Sequence, residues 1–325
     1  MSRLKYAILY SYFLATSVFV TFVSAQRILL TNDDGWAVAQ IRAEFEALTE
    51  AGYEVILCSP AQNWSGSGST SVPAVPTWRP CEFDSCPAFS PAYGYNRSDT
   101  RLNYVNAAPS DACHYGGTTL AIETWDTPPN LVVSGPNVGN NLQYAVFTSG
   151  TIGAASRAVA DNIPAVAFSG SSASTSQEPW TLLASTPVSP SILAARMYAS
   201  LTTFFLRALS SQWPTDPLLL PKGVLLNVNF PTVTPTCVAA PDTVKWIFTR
   251  ALPAVVILGV SPRDVEICDN AGRLPTEASV MGISGGCYAT VSVLDGLTKT
   301  DASSDIQANV LRRLGGLGFK CLPTS

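Results

Sequence analysis

Two neighbouring carboxylates, Asp33 and Asp34, stand between Asn32 and Gly35 just after the short run Arg27-Ile28-Leu29-Leu30-Thr31. Inside a regular strand adjacent side chains point to opposite faces. At a strand end with a glycine free to turn, both can reach one point. Two carboxylates held together repel each other unless a cation neutralises them, and oxygen donors favour a hard ion such as Mg²⁺ or Mn²⁺. The competing reading is an Asx turn in which Asp34 caps the next helix. Ser65 lies in a Ser/Gly-rich loop, 61–71, that offers a hydroxyl ligand and N–H groups for an anion; an ordinary flexible loop has the same composition. Asn137, Asn140 and Asn141 present amide oxygens to a metal and donors to a phosphate, or simply build a turn. Ser149-Gly150-Thr151 has the form of a helix N-terminus, which seats a phosphate or merely carries an N-cap.

Other chemistries are excluded by what is missing. His114 is the single histidine, and with no partner motif around it a structural role is expected. Gly282-Ile283-Ser284-Gly285-Gly286 matches a nucleophile elbow, but no histidine follows Ser284 to complete the triad order of that fold. An Arg-His-Gly phosphatase motif is absent, as is any Cys-x-x-Cys. Gly66-Ser67-Gly68 lacks the third glycine of a dinucleotide fingerprint, with Ser71 in its place.

The elements that must position these residues are legible in the apolar pattern. Residues 27–31 read as a strand buried on both faces. Val38, Ile41, Phe45 and Leu48 fall on one helical face, Gly52 sits where a C-cap belongs, and 53–57 is the next strand. Such a βαβ unit implies a parallel sheet with a right-handed crossover. Strands are predicted at 131–133, 164–168 and 224–230, and helices from Ser149 to about 160 and over 192–209. Residues 73–101 show no period and read as an irregular, disulfide-pinned excursion. From about 235 the pattern changes to strand-like stretches at 253–260 and 286–294. A closing helix follows, capped by Asp301 or Ser303, with Ile306, Val310, Leu311 and Leu314 inward. The alternation predicts an α/β, doubly wound, mostly parallel sheet with a smaller irregular β-rich C-terminal part. In such a sheet ligands bind at the carboxyl ends of the strands, which is where the polar clusters fall.

The chain of 325 residues is 47% hydrophobic and 13% charged, with mean hydropathy +0.21 and net charge −4. That excludes a disordered chain and gives no electrostatic footprint for a polynucleotide. Residues 1–25 read as a secretory signal: Arg3 and Lys5, an apolar run from Tyr6 to Val23, then Val23-Ser24-Ala25. An uncleaved membrane anchor is the rival reading. Cleavage leaves 17 basic against 23 acidic side chains, a net charge of −6, and all eight cysteines. An even count behind a signal predicts disulfides and a secreted protein. About 105 pairings are open, with Cys81–Cys86 the one favoured by proximity. Asn63-Trp64-Ser65 and Asn96-Arg97-Ser98 are glycosylation sequons.

Taken in order, the motifs resemble one family. Arg27 to Gly35 resembles the N-terminal signature of the SurE (survival protein E) nucleotidases and acid phosphatases, and Asn63-Trp64-Ser65-Gly66 its Asn-x-Ser-Gly loop. Ser134-Gly135-Pro136-Asn137-Val138-Gly139-Asn140-Asn141 resembles its Ser-Gly-x-Asn-x-Gly-x-Asn run. The segments 149–155, 163–167 and 226–231 also match. The resemblance implies a Rossmann-like core at about 27–232, and an extension with a closing helix at about 233–325 used in a homodimer or higher homo-oligomer. It implies hydrolysis of small phosphomonoesters, such as nucleoside 5′- or 3′-monophosphates, with a divalent metal (Mg or Mn). The metal ligands would be Asp33, Asp34, Ser65 and Asn137. Asn141, Ser149, Gly150 and Thr151 would face the phosphate, with Asp33, Asp34 and Asn141 in the catalytic roles. Attack by water is expected, since the Asp-x-Asp pattern of aspartyl-phosphate enzymes is absent. A secreted, non-catalytic binding protein on the same fold is the alternative. The leader and the cysteines are closer to secreted fungal-type relatives than to bacterial members. The excursion at 73–101 is longer than in compact members, and Arg157 stands where bacterial members carry an acidic residue.

Overall fold

The first apolar run becomes β1 (Arg27–Thr31), buried at every residue after Arg27. The computed structural model describes residues 25–212, 219–237, 241–254 and 262–323; the leader reading of 1–25 lies outside them but for Ala25. In β1, Ile28 and Leu30 pack on one side of the sheet and Leu29 on the other, as an unbroken apolar run requires. Helix α1 (Ala39–Glu50) buries Ile41, Phe45 and Leu48. It ends before Gly52, whose φ of 93° a side chain would disfavour. The strand β2 (Glu54–Pro60) then pairs parallel with β1.

The chain continues through β3 (Tyr93–Asn96), β4 (Asp99–Val105), α2 (Pro109–Tyr115), α3 (Ala121–Trp125), β5 (Leu131–Asn137), α4 (Ala145–Thr148), α5 (Gly150–Ala160), β6 (Ala165–Ser169) and α6 (Pro190–Leu209). It closes with β7 (Val224–Asn229), β8 (Lys245–Thr249), α7 (Glu277–Met281), β9 (Tyr288–Asp295) and α8 (Ser304–Arg313). One sheet runs in the order β3-β4-β2-β1-β5-β6-β7-β9-β8. The six strands from β4 to β7 are parallel, while β3 and β9 pair antiparallel with β4 and β7. Helices α1 and α6 pack together on one side of the sheet, and α2 and α5 on the other. This is the doubly wound, mostly parallel α/β architecture. Helix α6 is long and apolar enough to cross a membrane, but most of it is buried against α1 and the sheet. β1 lies between β2 and β5, so the winding reverses there and leaves a crevice at the carboxyl ends of β1 and β5.

The C-terminal part departs from expectation in detail. The strand expected at 253–260 falls largely outside the described residues, and β8 instead forms at Lys245–Thr249. In α8, Val310 and Leu314 are buried, but Ile306 is exposed. Gln307 turns inward in its place, donating to Asp264 Oδ1 at 3.1 Å and accepting from Val265 N at 2.8 Å. Ser303 occupies the N-cap without a side-chain bond. Asp301 accepts instead from the Ala251 and Leu252 amides. The excursion is irregular as far as its end, where it enters the β3–β4 hairpin, and β4 runs on to Val105. Three disulfides form, Cys81–Cys86, Cys237–Cys287 and Cys268–Cys321. The expectation that all eight cysteines pair is corrected. Cys58 and Cys113 are free thiols in the apolar layer between the sheet and α2, where burial pushes the Cys113 thiol up to about 12 and raises that of Cys58 as well.

Candidate functional site

The crevice at the β1–β5 switch gathers five separate segments by hydrogen bonds. Asn32 makes the Asx turn: its Oδ1 accepts from Gly35 N at 3.2 Å and its Nδ2 donates to Gly35 O at 3.1 Å. Gly35 turns at φ 112°, and a Cβ there would lie 2.1 Å from Glu82 Oε2. The turn releases both aspartates into the crevice. Asp34 caps nothing, since the N-cap of α1 is Val38. Asp34 Oδ2 instead accepts from Val138 N at 2.8 Å, and Oδ1 from Gln177 Nε2 at 2.6 Å. Asp33 Oδ1 accepts the Thr151 hydroxyl, and Asp33 O accepts from Trp64 N at 2.8 Å. The 61–71 loop closes on the start of α5 through Gly68 N to Thr148 O, 2.8 Å. Gly150 and Gly153 make this approach possible. A Cβ on Gly150 would lie 2.7 Å from both Asp33 Cβ and Ser67 Oγ, and one on Gly153 would lie 1.8 Å from Gly68 O.

Both aspartates are buried, at 2% and 1% exposure. Burial raises the Asp33 carboxyl from 3.8 to about 6, against the opposing bond from Thr151. Burial also holds Asp34 well above the carboxylate range, reinforced by the charges of Asp33 and Glu82. Glu82, on the Cys81–Cys86 loop, is pushed by burial up to about 7. Among the described residues no Lys, Arg or His forms an ion pair with either aspartate. Asn137 donates its Nδ2 to Gly139 O at 2.7 Å, which leaves its buried Oδ1 without a partner. Among the described residues no group of three or more His, Cys, Asp or Glu is arranged to hold a metal. A cation here would therefore rest on two carboxylates completed by neutral oxygens. Two uncompensated buried carboxylates and an orphaned amide oxygen form an all-oxygen donor set, and this fits a hard divalent ion.

The remaining predicted residues occupy distinct places. Ser65 is exposed, directly after Trp64, and its amide donates to Asn63 Oδ1 at 2.7 Å. Ser149 caps α5 by accepting from Ile152 N at 3.1 Å, so the N-cap alternative is realised. Gly150 and Thr151 open the helix over Asp33. Asn141 is buried behind the crevice, donating to Ser169 Oγ at 2.8 Å and held through its main chain by Asn227 and Asn229. His114 contacts Asp161 and Arg157 at the far end of α5. Ser284 is exposed in a turn from helix α7 to strand β9, the reverse of the strand-to-helix order of a nucleophile elbow. Sequence reasoning missed Gln177 and Glu82. Neither carries a motif, and only the Cys81–Cys86 brackets around Glu82 mark its segment as fixed.

A family model described as "Survival protein SurE" matches residues 28–252. The chain belongs to the SurE family. A Yarrowia lipolytica protein named acid phosphatase is 32% identical over 307 residues, covering 88% of this chain and 83% of that one. Two proteins named 5′-nucleotidase SurE are also similar. The one from Carboxydothermus hydrogenoformans is 33% identical over 64% of this chain and 65% of its own length. The one from Methanopyrus kandleri is 38% identical over 44% and 48%. The crystal structure of a SurE protein from Aquifex aeolicus shares the fold, with TM-score 0.52 and 22% identity over 83% of this chain and 93% of that one.

Proposed function

We propose that this SurE-family chain is a secreted phosphomonoesterase that works with a divalent cation held at the β1–β5 crevice. The observation that carries the reading is the pair of buried aspartates with no opposing cation among the described residues, beside the orphaned Asn137 Oδ1 and under the N-terminus of α5. Its relatives named acid phosphatase and 5′-nucleotidase support the reaction class.

Asp33, Asp34, Asn137 and Ser65 would hold the cation, Ser65 from the exposed loop above. Once bound, a divalent ion supplies Lewis-acid polarisation of the phosphoryl group and a lowered pKa for water. The chain's own residues do the rest. Thr151 fixes the Asp33 carboxylate by its hydroxyl, while Gln177 and Val138 N fix Asp34. Neither carboxylate is free to swing, and either can orient the attacking water. The Gly150 and Thr151 amides bond to the Asp33 carboxyl, and the positive end of α5 beside them would attract the phosphoryl charge. Asn141 acts through Ser169, Asn227 and Asn229 as a positioning residue for the Asn137 loop. The leader-like N-terminus and three disulfides support secretion.

The test is phosphate release from p-nitrophenyl phosphate before and after dialysis against EDTA, with Mn²⁺ or Mg²⁺ added back. Activity that EDTA removes and metal restores is expected. Activity indifferent to EDTA rejects the cation, and no release from any monoester rejects the phosphatase.

A further inference from the structure

The segment between β2 and β3 builds a second recess beside the aspartates. It is a cavity of about 440 Å³ whose lining includes Gln62, Asn63, Trp64, Trp78, Arg79 and Asn106. The Trp64 amide donates to Asp33 O, so one wall of the cavity is the residue that anchors the 61–71 loop over the crevice. Resting on the phosphomonoesterase reading, we propose that this recess binds a planar aromatic leaving group, with Trp64 and Trp78 as its stacking surfaces.

Three features support it. Trp78 is 78% exposed and meets Phe89 edge-on, at 6.4 Å between ring centres and 80° between planes. Phe89 is itself 75% exposed, so the two rings form a contiguous exposed apolar patch, the kind of feature that marks a ligand groove rather than a stray surface residue. The frame here is rigid. Buried Thr77 exchanges three hydrogen bonds of 2.7–2.9 Å with Phe89 and Ser90, Glu82 N donates to Ala61 O, and Cys81–Cys86 closes the loop. The polar rim is set as well. Gln62 Nε2 donates to Pro80 O and Asn106 Nδ2 to Val75 O, both at 2.8 Å, which fixes the two amides and commits one donor of each, so that their oxygens remain as acceptors at the recess they line. Arg79 has no ion pair among the described residues and offers a cationic plane for stacking. Two indoles lining one recess, with amide acceptors beside them, suit a ring that carries exocyclic amine hydrogens, as a nucleobase does.

The experiment compares wild type, Trp78→Ala and Trp78→Phe on AMP, p-nitrophenyl phosphate, glucose 6-phosphate and glycerol 3-phosphate. The exposure of Trp78 leaves the fold of the variants intact, which a thermal melt checks. Trp78→Ala is expected to lower kcat/KM for AMP about tenfold relative to glycerol 3-phosphate, with Trp78→Phe restoring most of it. A parallel fall for p-nitrophenyl phosphate places the ring directly beside the phosphoryl group; a fall for AMP alone places it one sugar away. An unchanged ratio overturns the proposal, and so does a fall that follows glucose 6-phosphate instead. Adenosine, which has no phosphate, should quench tryptophan fluorescence in wild type and lose that effect in Trp78→Ala. Absence of quenching in wild type overturns the recess whatever the turnover. Failure to hydrolyse glycerol 3-phosphate and every other monoester strikes only the phosphatase reading.

Discussion

Replacing Asp33 by Asn removes one of two buried charges and keeps the side-chain shape. Asp33 Oδ1 accepts the Thr151 hydroxyl, and an asparagine Oδ1 accepts it equally. Burial raises this carboxyl from 3.8 to about 6. At about 1.36 kcal/mol per pH unit, ionising it in the folded chain rather than the unfolded one costs about 3 kcal/mol. A carboxyl raised on folding carries no such cost below the unfolded value, where both states are protonated. Stability falls as pH rises through about 6, and above that the full cost is in place. In EDTA at about pH 8 the Asp33→Asn protein should therefore be more stable than wild type by up to about 3 kcal/mol, or about 5 °C in Tm. At about pH 4 the two should melt together. Mn²⁺ should reverse the order at the higher pH. Wild type gains about 2.7 kcal/mol at one hundred times its Kd, while the variant, short of a ligand, gains little and releases no phosphate. Thermal melts in EDTA and in Mn²⁺ at both pH values decide it. A variant no more stable than wild type in EDTA at the higher pH refutes the electrostatic argument, and an equal gain from Mn²⁺ refutes the ligand assignment.

Gly150→Ala should lower kcat at least tenfold and lower Tm, although Gly→Ala elsewhere in a helix raises stability by about 0.4–1 kcal/mol. The added Cβ would meet Asp33 and Ser67 at 2.7 Å, so wild-type kinetics would show that the crevice is looser than drawn. Glu277, fully buried, accepts from Asn227 Nδ2 at 2.9 Å, and burial holds its carboxyl well above the usual range. Glu277→Ala should cost about 2 kcal/mol. Glu277→Gln should match wild type in acid and exceed it as pH rises, because the raised carboxyl loses stability in that direction. A pH-independent difference in urea midpoints would contradict this.

The central strands and helices were readable because each depends on a local pattern: a continuous apolar run for β1, three- and four-residue spacing for α1, a Ser-Gly-Thr start for α5. Motif order placed Asp33, Asp34 and Asn137 together because the carboxyl ends of parallel strands share one edge. Long-range pairing erased the other signals. Gln177 reaches Asp34 across 143 residues, and Gln307 turns inward because Asp264 needs a donor, against its own helix pattern. The cysteine count misled for a related reason. Parity counts thiols without regard to layer, and Cys58 and Cys113 lie in a core that has no need of a covalent tie.

The topology also separates the part of this chain that holds the two aspartates from the part that lines the adjoining recess. β2 is the neighbour of β1, so the chain leaving β2 emerges at the crevice. Its first residues, through Trp64 and Ser67, close over Asp33 and Gly150. Whatever is inserted before the chain returns as β3 must pass beside that closure. In this chain the inserted segment brings Glu82 against Gly35, and Trp78 and Arg79 along one wall of the adjoining recess, while the β5 loop and α5 hold the aspartates from the opposite side. Changes between residues 73 and 101 other than at Glu82, whose charge acts on Asp34, should therefore alter selectivity among leaving groups far more than affinity for the cation, because none of the hydrogen bonds that fix Asp33 and Asp34 comes from that segment.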